Sequence, residues 1–265
     1  MKKYKRLKYW LMTGLITGSF WLYLGLPLDF KYFGLVLGSA ITIFSWWFGL
    51  GILWGKYSLR ARLSLVILPV LWYWGWGISI VVLPVSFWWQ VGWMLILASG
   101  IYISFLASNI FLVVIGFRTV PLYRSAYTVA LILVLFSEFM IFNGLLAYGF
   151  DWWLVWIMAG VVFWMGRRYV GWVVAVERED DGKTLPMSQY LWLSWLVAME
   201  LMLVLFWWPM GIFRRAMYLV LIVFWAYSLL EPVIRERMFR RSWTRALYVG
   251  LGIVVGLFLQ IKWRF

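Results

Sequence analysis

The sequence predicts an all-α fold, a polytopic transmembrane helical bundle of about nine spans (seven to nine) with its N-terminus in the cytoplasm. Three observations predict it. Of the 265 residues 65% are hydrophobic and 13% charged, whereas soluble domains run at roughly 45–50% and 25%. Nine apolar stretches approach the ~20 residues that a helix needs to cross ~30 Å of hydrocarbon. The basic residues then fall almost entirely on one side of those stretches.

The stretches are 9–26, 33–54, 63–83, 88–116, 126–148, 152–168, 191–208, 216–230 and 246–261. None alternates polar and apolar over ten residues, so a barrel would have no polar interior face. Helices satisfy their own backbone in lipid, and they are the consistent reading. The first stretch follows Lys2, Lys3, Lys5, Arg6 and Lys8. That start resembles a signal peptide, but no small-residue cleavage site and no polar mature domain follow, so an uncleaved anchor is expected. The last two stretches are short. If they form one re-entrant hairpin, the count falls to seven.

With the N-terminus inside and nine crossings, the inner segments hold the N-terminal five cations and Lys56, Arg60, Arg62, Arg118 and Arg124. They also hold Arg167, Arg168, Arg178, Lys183, Arg235, Arg237, Arg240, Arg241 and Arg245. Only Lys31, Arg214, Arg215, Lys262 and Arg264 fall outside, so nineteen of the 24 Lys and Arg stay in. Three tryptophan doublets, Trp88-Trp89, Trp152-Trp153 and Trp207-Trp208, fall at the outer boundary of this topology, where indoles prefer the headgroup level. Trp46-Trp47 lies within the second stretch and reads as packing.

The whole chain, 1–265, reads as one integral-membrane domain. The outer loops, 27–32, 84–87, 149–151 and 209–215, leave no room for an outward-facing module. Residues 169–190 form a cytoplasmic loop that opens with a helical extension over 169–176. Its Glu177, Glu179, Asp180 and Asp181 could hold a hard cation, yet they lack calcium-loop spacing and are followed by ordinary turn residues. No metal is expected there, and a lipid-modifying enzyme built on them has no motif behind it. Residues 231–245 read as a basic interfacial segment, with Glu231/Arg235 and Glu236/Arg240 at helical i,i+4 spacing. Its Arg235, Arg237, Arg240 and Arg241 suit anionic headgroups on the cytoplasmic face or, failing that, a protein partner in the membrane.

The formal charge of +14 suits this membrane role better than nucleic acid. With no His and no Cys, the chain cannot build the usual zinc, haem or iron–sulfur site, a Ser-His-Asp or Cys-His pair, or a dithiol centre. No cofactor and no catalytic residue is expected, and an enzyme is the less favoured reading. A bacterial-type cytoplasmic membrane is expected from the basic anchor and the charge asymmetry.

Within the spans, an ionisable group costs at least about 2.5–3.5 kcal/mol and so marks a candidate site. Glu138 and Glu200 qualify, at similar depth on two outward-running helices. Their own stripes are apolar: Leu135, Val134, Ile141 and Phe142 for Glu138, and Val197, Leu196, Leu203 and Val204 for Glu200. Each needs a partner on another helix, and Asn109 on the fourth span is near in depth. Two readings follow. One is a proton or ion relay through Glu138, Glu200 and Asn109. The other is structural, each carboxyl hydrogen-bonding across to a neighbouring helix for about 1 kcal/mol.

Small residues mark expected packing faces. Gly14/Gly18, Gly34/Gly38, Gly51/Gly55 and Gly252/Gly256 match the spacing for close helix contact, and Gly100, Ser104 and Ser108 extend it over two turns. The favoured function is a non-enzymatic subunit or scaffold of a membrane assembly. The alternative is a proton-coupled small-solute transporter or channel using the intramembrane carboxyls; among seven prolines only Pro69 lies well inside a span, whereas carriers often break helices at their sites.

Overall fold

The computed structural model describes residues 2–51, 59–80, 86–117, 122–176, 187–234 and 240–259. Among these the fold is all-helical, with nine α-helices and no strand. In chain order they are α1 (Lys2–Leu24), α2 (Lys31–Leu50), α3 (Leu59–Ser79), α4 (Phe87–Phe117), α5 (Tyr123–Ala147), α6 (Trp152–Val176), α7 (Met187–Trp207), α8 (Ile212–Ile234) and α9 (Arg240–Leu259). Each overlaps one of the nine apolar stretches. Among the described residues five segments are long and apolar enough to cross a membrane: Leu28–Leu50, Ala61–Ser79, Phe87–Val114, Tyr123–Ala147 and Ile212–Leu229. The chain is thus compatible with an integral membrane protein. The eighth stretch, expected to be short, is among the five because α8 begins four residues before it, at Ile212. In α9 the apolar part is short, Leu247–Leu257. In α6, five tryptophans and the Arg167-Arg168 pair dilute an otherwise apolar sequence.

The helices form two compact units, Met1–Gly144 and Leu145–Phe265. In the first, α1 and α2 make a hairpin through a 3-10 turn at Leu28–Phe30. Lys31 closes the end of α1 by donating from Nζ to the Tyr23 and Leu24 carbonyls, at 3.4 and 3.3 Å. The packed side of α2 is made of Gly34, Gly38, Ser39, Thr42, Ser45, Trp46 and Gly49, while Val36, Leu37, Phe44 and Phe48 are exposed. Small residues inward and bulky apolar ones outward is the pattern of helices that associate in lipid, where close backbone contact drives packing.

Helix α3 forms the centre of this unit. Its residues Ser64 to Tyr73 are all buried, and it reaches every neighbour by a named contact. Tyr73 lies over Gly38 of α2, and Trp74 Nε1 donates to Ser39 Oγ at 2.7 Å. Tyr23 Oη of α1 donates to the Gly77 carbonyl at 2.7 Å. Trp72 lies on Gly100 of α4 and donates from Nε1 to the Leu97 carbonyl at 3.1 Å. Towards α5, the Ser79 hydroxyl donates to the Met140 carbonyl and Phe136 packs on Trp72 and Trp76.

In the second unit α6 and α7 exchange indole bonds. Trp156 Nε1 of α6 donates to the Met199 carbonyl of α7 at 3.0 Å, and Trp195 Nε1 of α7 donates to the Gly160 carbonyl of α6 at 3.1 Å. The Met199 side chain fills the space that Gly160 leaves. Arg215 Nη2 of α8 donates to the Trp208 and Met210 carbonyls, at 3.1 and 3.2 Å, and so ties down the turn after α7. Phe163 of α6 stacks on Tyr227 of α8.

The four glycine pairs diverge in use. Gly34 and Gly38 are covered by side chains, as is Gly100. Gly14 and Gly18, expected to pack by the same spacing, have no neighbour within 4 Å of an added Cβ and are exposed. Gly51 is not a packing residue: at φ +68° it caps α2, with its N–H bonded to the Phe48 carbonyl, and Gly55 lies outside the described residues. Of the last pair, Gly252 faces open space while Gly256 is met by Tyr218 Oη. Of the tryptophan doublets, Trp88, Trp89, Trp152, Trp153 and Trp207 are exposed, and Trp46 is completely buried.

Segment 231–245 is divided: its first four residues end α8 and its last six begin α9. Arg235 and Arg237, with both proposed Glu–Arg pairs, involve residues outside the described ones. Arg240 and Arg241 belong to the first turn of α9. The acidic run Glu177 to Asp181 also lies outside the described residues.

Candidate functional site

Most hydroxyls in the apolar helices satisfy themselves locally. Thr17, Ser39, Thr42, Ser104 and Ser137 each bond the carbonyl four residues back, at 2.7–2.8 Å. Such back-bonding makes a small polar residue tolerable in lipid without a functional role. The candidates that remain are those a backbone bond cannot absorb.

Glu138 is completely buried, about 22 Å along α5 from Tyr123. Its own-helix neighbours Val134, Ile141 and Phe142 are buried with it, and Leu135 is half-buried. The preceding residue, Ser137, gives its backbone to the contact with Gly75 of α3. Glu138 therefore sits on the packed side of its helix, within the first unit.

Glu200 is placed in the opposite way. It is exposed on α7, in the second unit, on a stripe with the exposed Leu196, Val197, Val204 and Trp207. The packed side of α7 carries Ala198, Met199, Met202 and Leu205. The two carboxyls thus share neither a unit nor an environment: one is enclosed, and the other interrupts an outward apolar face.

Asn109, expected to serve a glutamate, has a partner of its own. Its Oδ1 accepts from Tyr9 Oη of α1 at 3.1 Å. The bond closes an aromatic stack in which Phe105 of α4 lies between Tyr9, at 5.2 Å, and Trp46 of α2, at 3.9 Å. Four buried polar atoms on these helices have no hydrogen-bond partner among the described residues: Thr13 Oγ1 one turn from Tyr9, Trp46 Nε1, Trp47 Nε1, and Ser108 Oγ beside Asn109. Gly100, Ser104 and Ser108 are all buried on α4, Gly100 beneath Trp72, as a packing face requires.

One residue was missed by the sequence reading. Arg167 counts there as a cytoplasmic boundary charge, but it is only 3% exposed, and its Nε and Nη1 have no hydrogen-bond partner among the described residues. The adjacent Arg168 is exposed and stacks on Trp164 at 5.2 Å. The difference is one of rotation on the helix. Arg167 shares its stripe with Gly160, Phe163, Gly171 and Val174, all buried; the two glycines on that stripe were the available signal. The extension over 169–176 is also more enclosed than a cytoplasmic overhang, since Tyr169 to Val174 are all buried.

Among the described residues, no group of three or more His, Cys, Asp or Glu could hold a metal. No protein-family model, curated protein or solved structure matches the chain. The class defined by fold and site together is, among the described residues, a helical protein with several membrane-compatible helices, an enclosed carboxyl at Glu138, an enclosed guanidinium at Arg167 and a carboxyl at Glu200 that interrupts an outward apolar face.

Proposed function

We propose that the chain is a non-enzymatic, multi-pass subunit or scaffold of a larger membrane assembly. It crosses nine times with its N-terminus inside, in a bacterial-type cytoplasmic membrane. Glu200 carries this reading. Apolar side chains against lipid gain nothing by leaving it, so the polar residues and close packing of a helix identify where a second helix belongs. A carboxyl held outward in the Leu196, Val197, Val204 and Trp207 stripe costs about 2.5–3.5 kcal/mol against hydrocarbon. A hydrogen bond from the transmembrane helix of a partner offsets part of that cost.

The test is photo-crosslinking in native membranes from Val197 and Val204, with exposed Ile132 of α5 as the control position. A discrete adduct from α7 that persists in Glu200→Gln and disappears in Glu200→Leu supports the assembly. Adducts with lipid alone, or a protein adduct indifferent to Glu200→Leu, remove it. Gln is informative because it keeps hydrogen bonding and drops ionisation.

A second reading, proton-coupled carriage of a small solute, rests on the complete enclosure of Glu138. Glu200 is not needed for it. Solute-driven proton flux in liposomes that is lost in Glu138→Gln and retained in Glu200→Gln would favour it; flux unchanged in both would end it.

A further inference from the structure

The first unit has a groove between α1 and α2 that none of the packing described above fills. It has a volume of about 450 Å³ and is lined by Met12 and Leu15 of α1 and by Ala40, Ile41, Phe44 and Phe48 of α2. Clefts that bind small ligands span roughly 300–1,000 Å³. Leu15, Ala40, Phe44 and Phe48 are exposed, so the groove opens sideways onto the apolar surface of the hairpin.

One end of the groove is charged. Lys8 lies one turn before Met12 on the same stripe of α1, and its Nζ stands 4.3 Å from the centre of the Phe48 ring that lines the groove. Arg6, two residues earlier, is exposed on another side of the helix, and Lys2, Lys3 and Lys5 precede it in the sequence. Nothing nearby in sequence balances them: Asp29, at the far end of the hairpin, is the sole acid before Glu138. From Lys8 to Leu15 the stripe runs about 10 Å down the helix. A cation at the rim and an apolar trough leading away from it match the headgroup and acyl chain of a lipid.

We propose that the α1–α2 groove is a seat for one anionic phospholipid, its acyl chain along Met12, Leu15, Ile41 and Phe44 and its phosphate held by Lys8. A second copy of the chain fits less well, because a parallel copy would bring two acid-free basic segments together. A water-borne anion would meet only the rim and leave the trough empty. The α7 stripe around Glu200 belongs to the other unit, so the seat and the proposed assembly face stand or fall separately.

The test uses the full chain in detergent and titrates phosphatidylglycerol and phosphatidylcholine of matched acyl chains, with bound lipid counted by native mass spectrometry. One tightly held phosphatidylglycerol, preferred over phosphatidylcholine, is expected. Lys8→Gln should weaken it about fivefold, the effect of one cation at a charged headgroup, and leave phosphatidylcholine unchanged. Arg6→Gln, on another side of the helix, should weaken it less. Ala40→Trp, which fills the trough from an exposed position, should remove the tight lipid without lowering the melting temperature. Equal retention of the two lipids, undiminished retention in Ala40→Trp, or occupancy of the groove by a second chain that crosslinks from Ala40 would each overturn the proposal.

Discussion

Gly100 and Gly14 are alike in sequence, each a glycine on a small-residue stripe, and the structure gives them opposite consequences. A Cβ on Gly100 would fall on the indole of Trp72, within 2.6 Å of Nε1 and closer still to two ring carbons. The indole is rigid, and its Nε1 is already bonded to the Leu97 carbonyl one turn away on the same helix. Gly100→Ala must therefore displace the ring. Overpacking costs about 1–3 kcal/mol, and losing the indole bond costs about 0.5–1.5 kcal/mol more. The gain in helix propensity returns about 1 kcal/mol. The net loss is about 2 kcal/mol. Gly14→Ala meets nothing within 4 Å, so the propensity gain stands alone and the variant should be up to about 1 kcal/mol more stable. Unfolding both variants with SDS in mixed micelles separates them by about 3 kcal/mol on this reasoning. Equal stabilities, or a Gly14 variant as damaged as the Gly100 one, would show that the α3–α4 contact is wrong.

Tyr9→Phe removes the donor to Asn109 and should cost about 1 kcal/mol in the same titration; in a Tyr9→Phe/Asn109→Leu double variant the two effects should fall short of additive. Arg167→Met should match or exceed the parent in stability, since an apolar side chain of similar length relieves a buried charge, whereas Arg167→Ala should be clearly less stable because it leaves a cavity. A methionine variant as unstable as the alanine one would mean that the guanidinium is firmly held. Thr13→Val, which deletes a buried hydroxyl without a hydrogen bond, should leave stability unchanged or raised, and a loss above about 1 kcal/mol would place an acceptor or an ordered water there.

Helix existence was legible because a hydrocarbon surrounding leaves the backbone no other choice: each apolar stretch carries a helix among its described residues, and Gly51 and Gly149, both at positive φ, stand just after α2 and α5. Rotation about each helix axis was not legible. Where a chain is apolar on all sides, the polar contrast that orients a soluble helix is absent. The inward side of α2 is marked by small and hydroxyl residues at Gly34, Gly38, Ser39, Thr42 and Ser45 against bulky Leu37, Phe44 and Phe48 outside, with the buried Trp46 as the exception. That is why Glu138 and Glu200, equivalent as letters in apolar runs, were assigned one role and occupy two environments. The bond between Asn109 and Tyr9 spans 100 residues, and spacing carries no record of such a bond. Arg167 was legible in principle, but its charge drew attention to topology and away from the glycines on its stripe.

The crossed indole bonds of α6 and α7 have a mechanical consequence. Each helix holds a carbonyl of the other, at Met199 and Gly160, so sliding either past its neighbour by one turn, about 5.4 Å, would break both links together. A piston stroke between these two rods is thereby blocked, and any movement transmitted through them must carry the pair as one body.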